Sequence, residues 1–270
     1  TGVKDASGNA MSSQYDNSTG FTTVPFQPQT QAELQTAVDL WVSDNSAALS
    51  TYGGINTWDV SLITSMRELF DGKTTFNDDI SNWNVSGVTS MYRLFRNAQS
   101  FNQDISSWDV SNVTNMYAMF FNAESFNQNL SSWDISSVTN MDRMFYNAQN
   151  FNNTGQPLTW NVSSVGDMQY MFSRSIAFNQ DISSWNVSRN TAGPNMQGMF
   201  NTAAAFNQDI SSWNVDNVTN MGVMFKNAYS FNQDISNWNV DNVTNMADMF
   251  LSANALSDAN KCLIHTDFDN

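Results

Sequence analysis

The sequence has little charge, one cysteine and one histidine. Charged residues make up 13% of the 270 residues, about half the share of an average soluble domain. The lone Cys262 excludes an intramolecular disulfide, so packing alone must stabilise the fold. Only 10 Lys and Arg face 25 Asp and Glu, and the net charge of −15 argues against nucleic acid and anionic membrane surfaces as partners.

The sequence also lacks long apolar runs and the usual signatures of catalysis. Nothing approaches the roughly 20 consecutive apolar residues that a membrane span needs, so we expect no membrane insertion. The only histidine is His265, and the glutamates are Glu33, Glu68 and Glu124. No metal-ligand spacing, phosphate-binding glycine loop or nucleophile elbow is present. We therefore predict that the protein is not an enzyme.

Large apolar side chains are abundant and recur at a fixed interval. The 15 Met, 19 Phe and 9 Trp exclude a disordered chain. Eight tryptophans stand 25 to 28 residues apart: Trp58, Trp83, Trp108, Trp133, Trp160, Trp185, Trp213 and Trp238. Each is followed by a Met, then by a Met or Leu three residues later, and then at once by a Phe. We interpret these columns as core packing rather than as an aromatic binding platform.

Two hydrophobic periods alternate within one unit. The alternation over Trp108, Asp109 and Val110 predicts a short strand, and the spacing of Met116, Met119 and Phe120 predicts a helical turn. Because neither element buries its apolar face alone, the units must stack. The predicted fold class is α/β: a right-handed leucine-rich-repeat-like solenoid of about eight 25-residue coils, with one short parallel strand and one short helical segment in each coil.

Four regions follow from this pattern. We assign residues 1–19 to a flexible tail, 20–57 to an N-terminal capping helix region, 58–256 to the repeat solenoid and 257–270 to a partial C-terminal cap. Thr30 and Glu33 form a capping-box pattern, and Leu34, Val38 and Trp41 follow at helical spacing. An amphipathic helix here would cover the open end of the solenoid core.

The repeat itself resembles a known family. The unit F-N-Q-D-I-S-S-W-D-V-S-N-V-T-N-M-x-x-M-F-x-N-A is similar to BspA-like leucine-rich-repeat surface proteins. More closely it resembles their 25-residue variant, first catalogued as a domain of unknown function in mycoplasma and other microbial surface proteins. The resemblance covers about residues 58–256, with Trp, Met and Phe where Leu is usual. It implies an extracellular or cell-surface location and a role in adhesion. No functional residues carry over, because the shared motif is a packing motif.

Polar residues that flank each Trp form the predicted binding surface. On the expected strands they point outward and make one uncharged-to-acidic face suited to repeated hydrogen bonds with a surface glycan or protein. The candidate binding residues are Asp59, Asn84, Ser107, Asp109, Ser132, Asp134, Asn161, Asn186, Asn214, Asp216, Asn239 and Asp241. We expect a secreted, monomeric recognition module. The alternatives are a structural spacer or surface-layer stalk, an ice-binding solenoid with a threonine row, and a glycan-active enzyme.

Two further polar columns precede the Trp. The asparagines after Phe, such as Asn102 and Asn127, are expected to form a hydrogen-bonded ladder between units. No cofactor is predicted. The stacked carboxylates of the acidic column are expected to be solvated, and the alternative is that they bind Ca²⁺. The weak candidates for that metal are Asp79, Asp104, Asp181, Asp209 and Asp234.

Overall fold

The computed structural model describes residues 25–188, 194–261 and 263. Two α-helices open this part of the chain, α1 (Gln31–Ser43) and α2 (Asn45–Tyr52), and short 3₁₀ helices follow at Ile55–Thr57 and Asn153–Gly155. The expected tail at residues 1–19 and the last seven residues, with His265, lie outside the described residues.

The predicted α/β solenoid, with a strand and a helical segment in each coil, is wrong. Over residues 58–188 and 194–256 the units consist of turns, and isolated parallel bridges replace the expected strands. Each bridge joins one residue to its equivalent in the next unit, at Ser65–Ser90, Ser90–Asn115, Asn115–Asn140, Asn140–Asp167, Asp167–Asn195 and Asn220–Asn245. Across the described residues the units therefore stack in register without forming a sheet.

Backbone conformation explains why no helix forms after the first Met. Ala118 and Asn122 have φ of 51° and 55°, in the left-handed region, and this interrupts helical bonding. The N–H groups of Met119 and Ala123 donate to carbonyls three residues back, which closes tight turns. Turns of this size also bring residues three apart to one side. The apolar spacing is therefore the same as that of a helix.

Alternate N–H groups of the same segment point to the following unit. Those of Met116, Ala118, Phe120 and Asn122 donate to the carbonyls of Asn140, Asp142, Met144 and Tyr146 at 2.8 to 3.0 Å. This ladder recurs from unit to unit. The backbone groups that a helix would have used internally thus hold the stack together.

The core lies inside the stack, and the packing prediction is confirmed. All eight repeat tryptophans are at most 4% exposed, and the Met, Leu and Phe columns are equally buried up to the last unit. Phe120 packs between its counterparts Phe95 and Phe145, with ring centroids 5.5 and 5.4 Å away. The indole N–H of Trp133 donates to the Ile105 carbonyl of the preceding unit at 3.1 Å, which satisfies the one polar group of the ring.

Helix α1 covers the first end of the stack. Thr30 caps it by accepting the Glu33 N–H through its hydroxyl, and Leu34, Ala37, Val38 and Trp41 lie buried beneath it. The side-chain amides of Gln31 and Gln35 donate to the carbonyls of Arg67 and Leu69. In the next unit the equivalent carbonyls accept backbone N–H groups, so α1 substitutes for a preceding unit.

No helix in the described part of the chain is long and apolar enough to cross a membrane.

Candidate functional site

The stack has two chemically different long surfaces. We call the one formed by residues 102–111 and their equivalents the Asx surface, because Asp and Asn recur there. On it Asp109 accepts both the backbone N–H of Ser111 at 3.1 Å and the Ser111 hydroxyl at 2.6 Å, through the same oxygen Oδ1. This is an Asx turn, a local bond that shapes the backbone.

All twelve candidate binding residues lie on this surface, and eleven of them are exposed. Acceptors of the N–H two residues later, as at Asp109, are Asp59, Asn84, Asp134, Asn161, Asn186, Asn214 and Asn239. Ser107 and Ser132 donate their hydroxyls to carbonyls of the preceding unit, while Asp216 and Asp241 supply the N–H groups of their turns. Their side chains or backbones thus already bond within the stack, and ligand binding by them stays a prediction.

These turns also tune the carboxylates. The hydroxyl and N–H of Ser111 lower the pKa of Asp109 below its usual range, because both hydrogen bonds favour the ionised form. The serines two residues later lower the pKa of Asp59, Asp104, Asp134 and Asp209 in the same way. These carboxylates of the Asx surface therefore keep their negative charge to a lower pH than ordinary aspartates do.

The acidic column proposed for calcium has the same local role. The five candidates, Asp79, Asp104, Asp181, Asp209 and Asp234, each accept the N–H of a serine two residues on. Within the described residues, no group of three or more His, Cys, Asp or Glu side chains could hold a metal ion. The column is thus accounted for by turn geometry.

The asparagine ladder is confirmed. The N–H of Asn127 donates to Oδ1 of Asn102 at 2.8 Å, and Oδ1 of Asn127 accepts the N–H groups of Asn152 and Thr154 at 2.9 and 3.1 Å. In a later pair of units the N–H of Asn232 likewise donates to Oδ1 of Asn207. The column joins successive units along the Asx surface.

The other long surface is formed by the unspecified positions of M-x-x-M-F-x. We call it the variable surface, because its residue types change from unit to unit while the framework around them is constant. Only 24 positions make it up, yet they hold 5 of the 10 Lys and Arg and 4 of the 7 Tyr. In order they are Arg67, Glu68 and Asp71; Tyr92, Arg93 and Arg96; Tyr117, Ala118 and Phe121; Asp142, Arg143 and Tyr146; Gln169, Tyr170 and Ser173; Gln197, Gly198 and Asn201; Gly222, Val223 and Lys226; and Ala247, Asp248 and Leu251.

Aromatic and cationic side chains pack along the first half of the variable surface. Tyr92 stacks on Tyr117 with ring centroids 5.0 Å apart. The guanidinium of Arg67 lies 4.2 Å from the Tyr92 centroid, and that of Arg93 lies 4.7 Å from it. Cation–π contacts of this kind hold half-exposed side chains in place. The surface is therefore preorganised as well as chemically varied.

A cleft of about 380 Å³ opens in the middle of the variable surface. It is lined by Phe121, Arg143, Tyr146 and Tyr170, which come from three successive units. Phe121 stacks on Tyr146 at 4.6 Å, and the Arg143 guanidinium lies 5.2 Å from the Tyr170 centroid. The cleft is shallow and open to solvent.

A buried carboxylate lies beside this cleft. Asp142 is 4% exposed and its Oδ2 pairs with the Arg143 guanidinium at 2.5 Å, while Oδ1 has no hydrogen-bond partner among the described residues. Burial raises the pKa of Asp142 to about 6. Arg143 opposes that rise and Asp167 adds to it.

Sequence reasoning missed the variable surface. It followed the columns that repeat, and these carry the packing. The signal that could have found it lies in the positions that differ between units while the rest of the motif stays constant.

Comparisons with known proteins agree with the repeat. A search of curated proteins finds no significant match. A family model described as "Mycoplasma protein of unknown function, DUF285" matches residues 43–159 and 153–262, well over half of the chain. The chain belongs to this DUF285 family.

Proposed function

We propose that the protein is a non-catalytic recognition module that works at the cell surface or after secretion, and that it binds its partner through the variable surface. The observation that carries this proposal is the clustering of Arg and Tyr at positions that differ between otherwise constant units. Tyr and Arg are the residue types most enriched at the energetic centres of binding interfaces.

The contrast with the Asx surface supports this choice of binding surface. Asx side chains such as Asp109 and Asn161 already bond to their own turns, so a ligand would have to compete with those bonds. On the variable surface the backbone bonds to the next unit instead. Its side chains are therefore free to differ without loss of the fold.

The resemblance to BspA-like surface proteins supports the proposed location and role. That family is associated with adhesion. A repeated stack with one variable side is a suitable architecture for it, because contacts can be spread over several units.

A structural spacer is the second candidate. The ladder of backbone bonds between units, with Asn side chains beside it, would make a stiff rod without any ligand. A spacer, however, has no need of aromatic and cationic residues gathered on one side.

The experiment compares the two surfaces directly. One variant carries Tyr92→Ser, Tyr117→Ser and Tyr170→Ser, and a matched variant carries Asp109→Asn and Asp134→Asn, which keep the Asx-turn acceptors. Fluorescently labelled proteins with equal melting temperatures are applied to an array of glycans and matrix proteins. We expect binding to be lost in the tyrosine variant only.

Three other results would contradict this proposal. Loss of binding only in the Asp variant would assign recognition to the Asx surface. No binding by the unaltered protein would favour the spacer, and turnover of an arrayed glycan would favour an enzyme.

A further inference from the structure

We infer that the cleft lined by Phe121, Arg143, Tyr146 and Tyr170 binds an acidic saccharide, with one carboxylate or sulfate group beside neutral hydroxyls. This inference rests on the proposed function and names a ligand class for one part of the variable surface. It follows from the size of the cleft, the groups that line it and the balance of charge around it.

The size and lining of the cleft favour a sugar unit over a purely apolar ligand. The cleft, of about 380 Å³, is open to solvent and can take one unit of a larger ligand while the rest of that ligand stays outside. Phe121 and Tyr146 stack on each other, so one face of each ring is covered, and Tyr146 and Tyr170 bring hydroxyl groups to the residues that line the cleft. Tyrosine hydroxyls both donate and accept hydrogen bonds, as sugar hydroxyls do.

The charge next to the cleft favours an acidic group on that sugar. Arg143 is neutralised by Asp142. Arg174 lies with its guanidinium 6.0 Å from the Tyr146 centroid, is exposed, and has no acidic partner among the described residues. A carboxylate or sulfate held between Arg174 and the tyrosine hydroxyls would form charge-assisted hydrogen bonds there.

The charge of the whole chain limits how acidic the ligand is. With a net charge of −15, the protein repels densely charged polyanions at long range. The cations in the first half of the variable surface are paired, Arg67 and Arg93 with Glu68, Arg96 with Asp71 and Arg143 with Asp142. One unpaired cation matches one acidic group, flanked by neutral sugar units.

Gly198 positions the cleft. It has φ of 60°, and a Cβ atom placed on it would overlap the Tyr170 ring, so only glycine lets the ring lie where it does. Gly198 thus acts through Tyr170 as a positioning residue, one unit further along the stack.

Isothermal titration calorimetry with three defined probes tests the inference. The probes are a hyaluronan tetrasaccharide, its carboxyl-reduced neutral counterpart and the peptide acetyl-Gly-Glu-Gly-Glu-Gly-amide. The tetrasaccharide alternates acidic and neutral units. We expect it to bind, the neutral counterpart to bind at least about tenfold more weakly, and the peptide not to bind.

Variants locate the site. Arg174→Gln is expected to weaken tetrasaccharide binding about tenfold, because it removes the unpaired charge. Lys261→Gln is the matched control, since this exposed cation lies outside both the cleft and the variable surface. It should leave binding within about twofold. Melting temperatures of both variants establish that the fold is retained.

The inference is overturned if the tetrasaccharide fails to bind at millimolar concentration, if the neutral counterpart binds equally, or if Lys261→Gln weakens binding as much as Arg174→Gln. Binding of the peptide alone would identify a protein partner. In any of these cases the proposed function still stands if the tyrosine variant loses its array binding. It fails separately if that variant binds as the unaltered protein does.

Discussion

The Asx surface and the variable surface run along the same stack and are built by the same units, yet they treat polar residues in opposite ways. On the Asx surface one side-chain type recurs, and its oxygen closes the local turn, as at Asp109. On the variable surface the side chains differ from unit to unit and contact one another across units, as Tyr92 and Tyr117 do. In this stack the uniform columns therefore have a structural role, and the changing columns are those to which we assign the proposed recognition.

Electrostatics shows the same contrast. Solvent-exposed Asp109 has a lowered pKa because serine donors stabilise its charge, whereas burial raises the pKa of Asp142 to about 6. The first carboxylate stabilises the fold when ionised. The second carboxylate, that of Asp142 next to the cleft, destabilises the fold when it is ionised, because it is buried.

The largest expected effect is the pH dependence that Asp142 contributes. A carboxyl group whose folded pKa of about 6 exceeds its unfolded value binds protons in the folded state first, so stability falls as pH rises from about 4 to 6. The whole shift corresponds to about 3 kcal/mol, of which about 1.4 kcal/mol falls between pH 5 and pH 7.5. Urea unfolding at pH 5 and pH 7.5 should show higher stability at pH 5, and Asp142→Asn should remove most of that difference. If the Asp142→Asn variant kept the same difference in stability between pH 5 and pH 7.5, Asp142 would not be its source.

The next effect concerns the Asn ladder of the Asx surface. Asn127→Ala removes the acceptor of two backbone N–H groups, those of Asn152 and Thr154. We expect a loss of about 1 to 2 kcal/mol in the free energy of unfolding, because the partly buried N–H of Asn152 loses its acceptor, while the exposed N–H of Thr154 can bond to water. Urea denaturation measures it, with the exposed Ser137→Ala as the control in the same unit. Equal effects of the two changes would show that the ladder does not stabilise the stack.

A pair of glycine substitutions compares the two surfaces at the backbone. Gly198→Ala should destabilise the protein by about 1 to 2 kcal/mol, because alanine is disfavoured at a φ of 60°. It should also weaken tetrasaccharide binding, since Tyr170 must move. Gly87→Ala on the Asx side meets nothing nearer than 3.5 Å and is the control. Thermal unfolding and calorimetry check both. If Gly198→Ala left tetrasaccharide binding unaltered, Tyr170 would have no role in the binding site.

The smallest effect is expected at a single Asx turn. Asp109→Ala should lower stability by about 0.5 to 1 kcal/mol through loss of the turn bonds, whereas Asp109→Asn should be nearly neutral, since Asn fills this position in other units. Because its pKa is lowered, the contribution of Asp109 is present above about pH 4 and is lost at lower pH. Unfolding at pH 3 and pH 7 measures this. If Asp109→Asn lowered the free energy of unfolding as much as Asp109→Ala, the stabilisation would come from the charge of Asp109 and not from its turn bonds.

Sequence patterns predicted part of the fold correctly. Burial of the Trp, Met and Phe columns and the ladder through Asn102 and Asn127 are confirmed. The strand and the helical segment are wrong, because spacing reports which residues face inward and says nothing of backbone φ. Left-handed Ala118 gives no signal in the sequence, since alanine is a good helix former.

The candidate site was harder to predict for a related reason. The polar rows around Trp108 and Trp133 stood out because they repeat, and they were assigned to binding. Tyr146 and Tyr170 occupy different columns of neighbouring units, and only the stacking of those units brings them to one cleft.

The sequence by itself determined that this protein is a stack of eight units with an aromatic and methionine core, since a period of about 25 residues can bury its large side chains only between neighbours. The tertiary structure decided how the backbone satisfies its hydrogen bonds, through turns and a ladder between units. It also decided which side chains meet. Both depend on partners one whole unit away, and such contacts leave no local pattern in the chain.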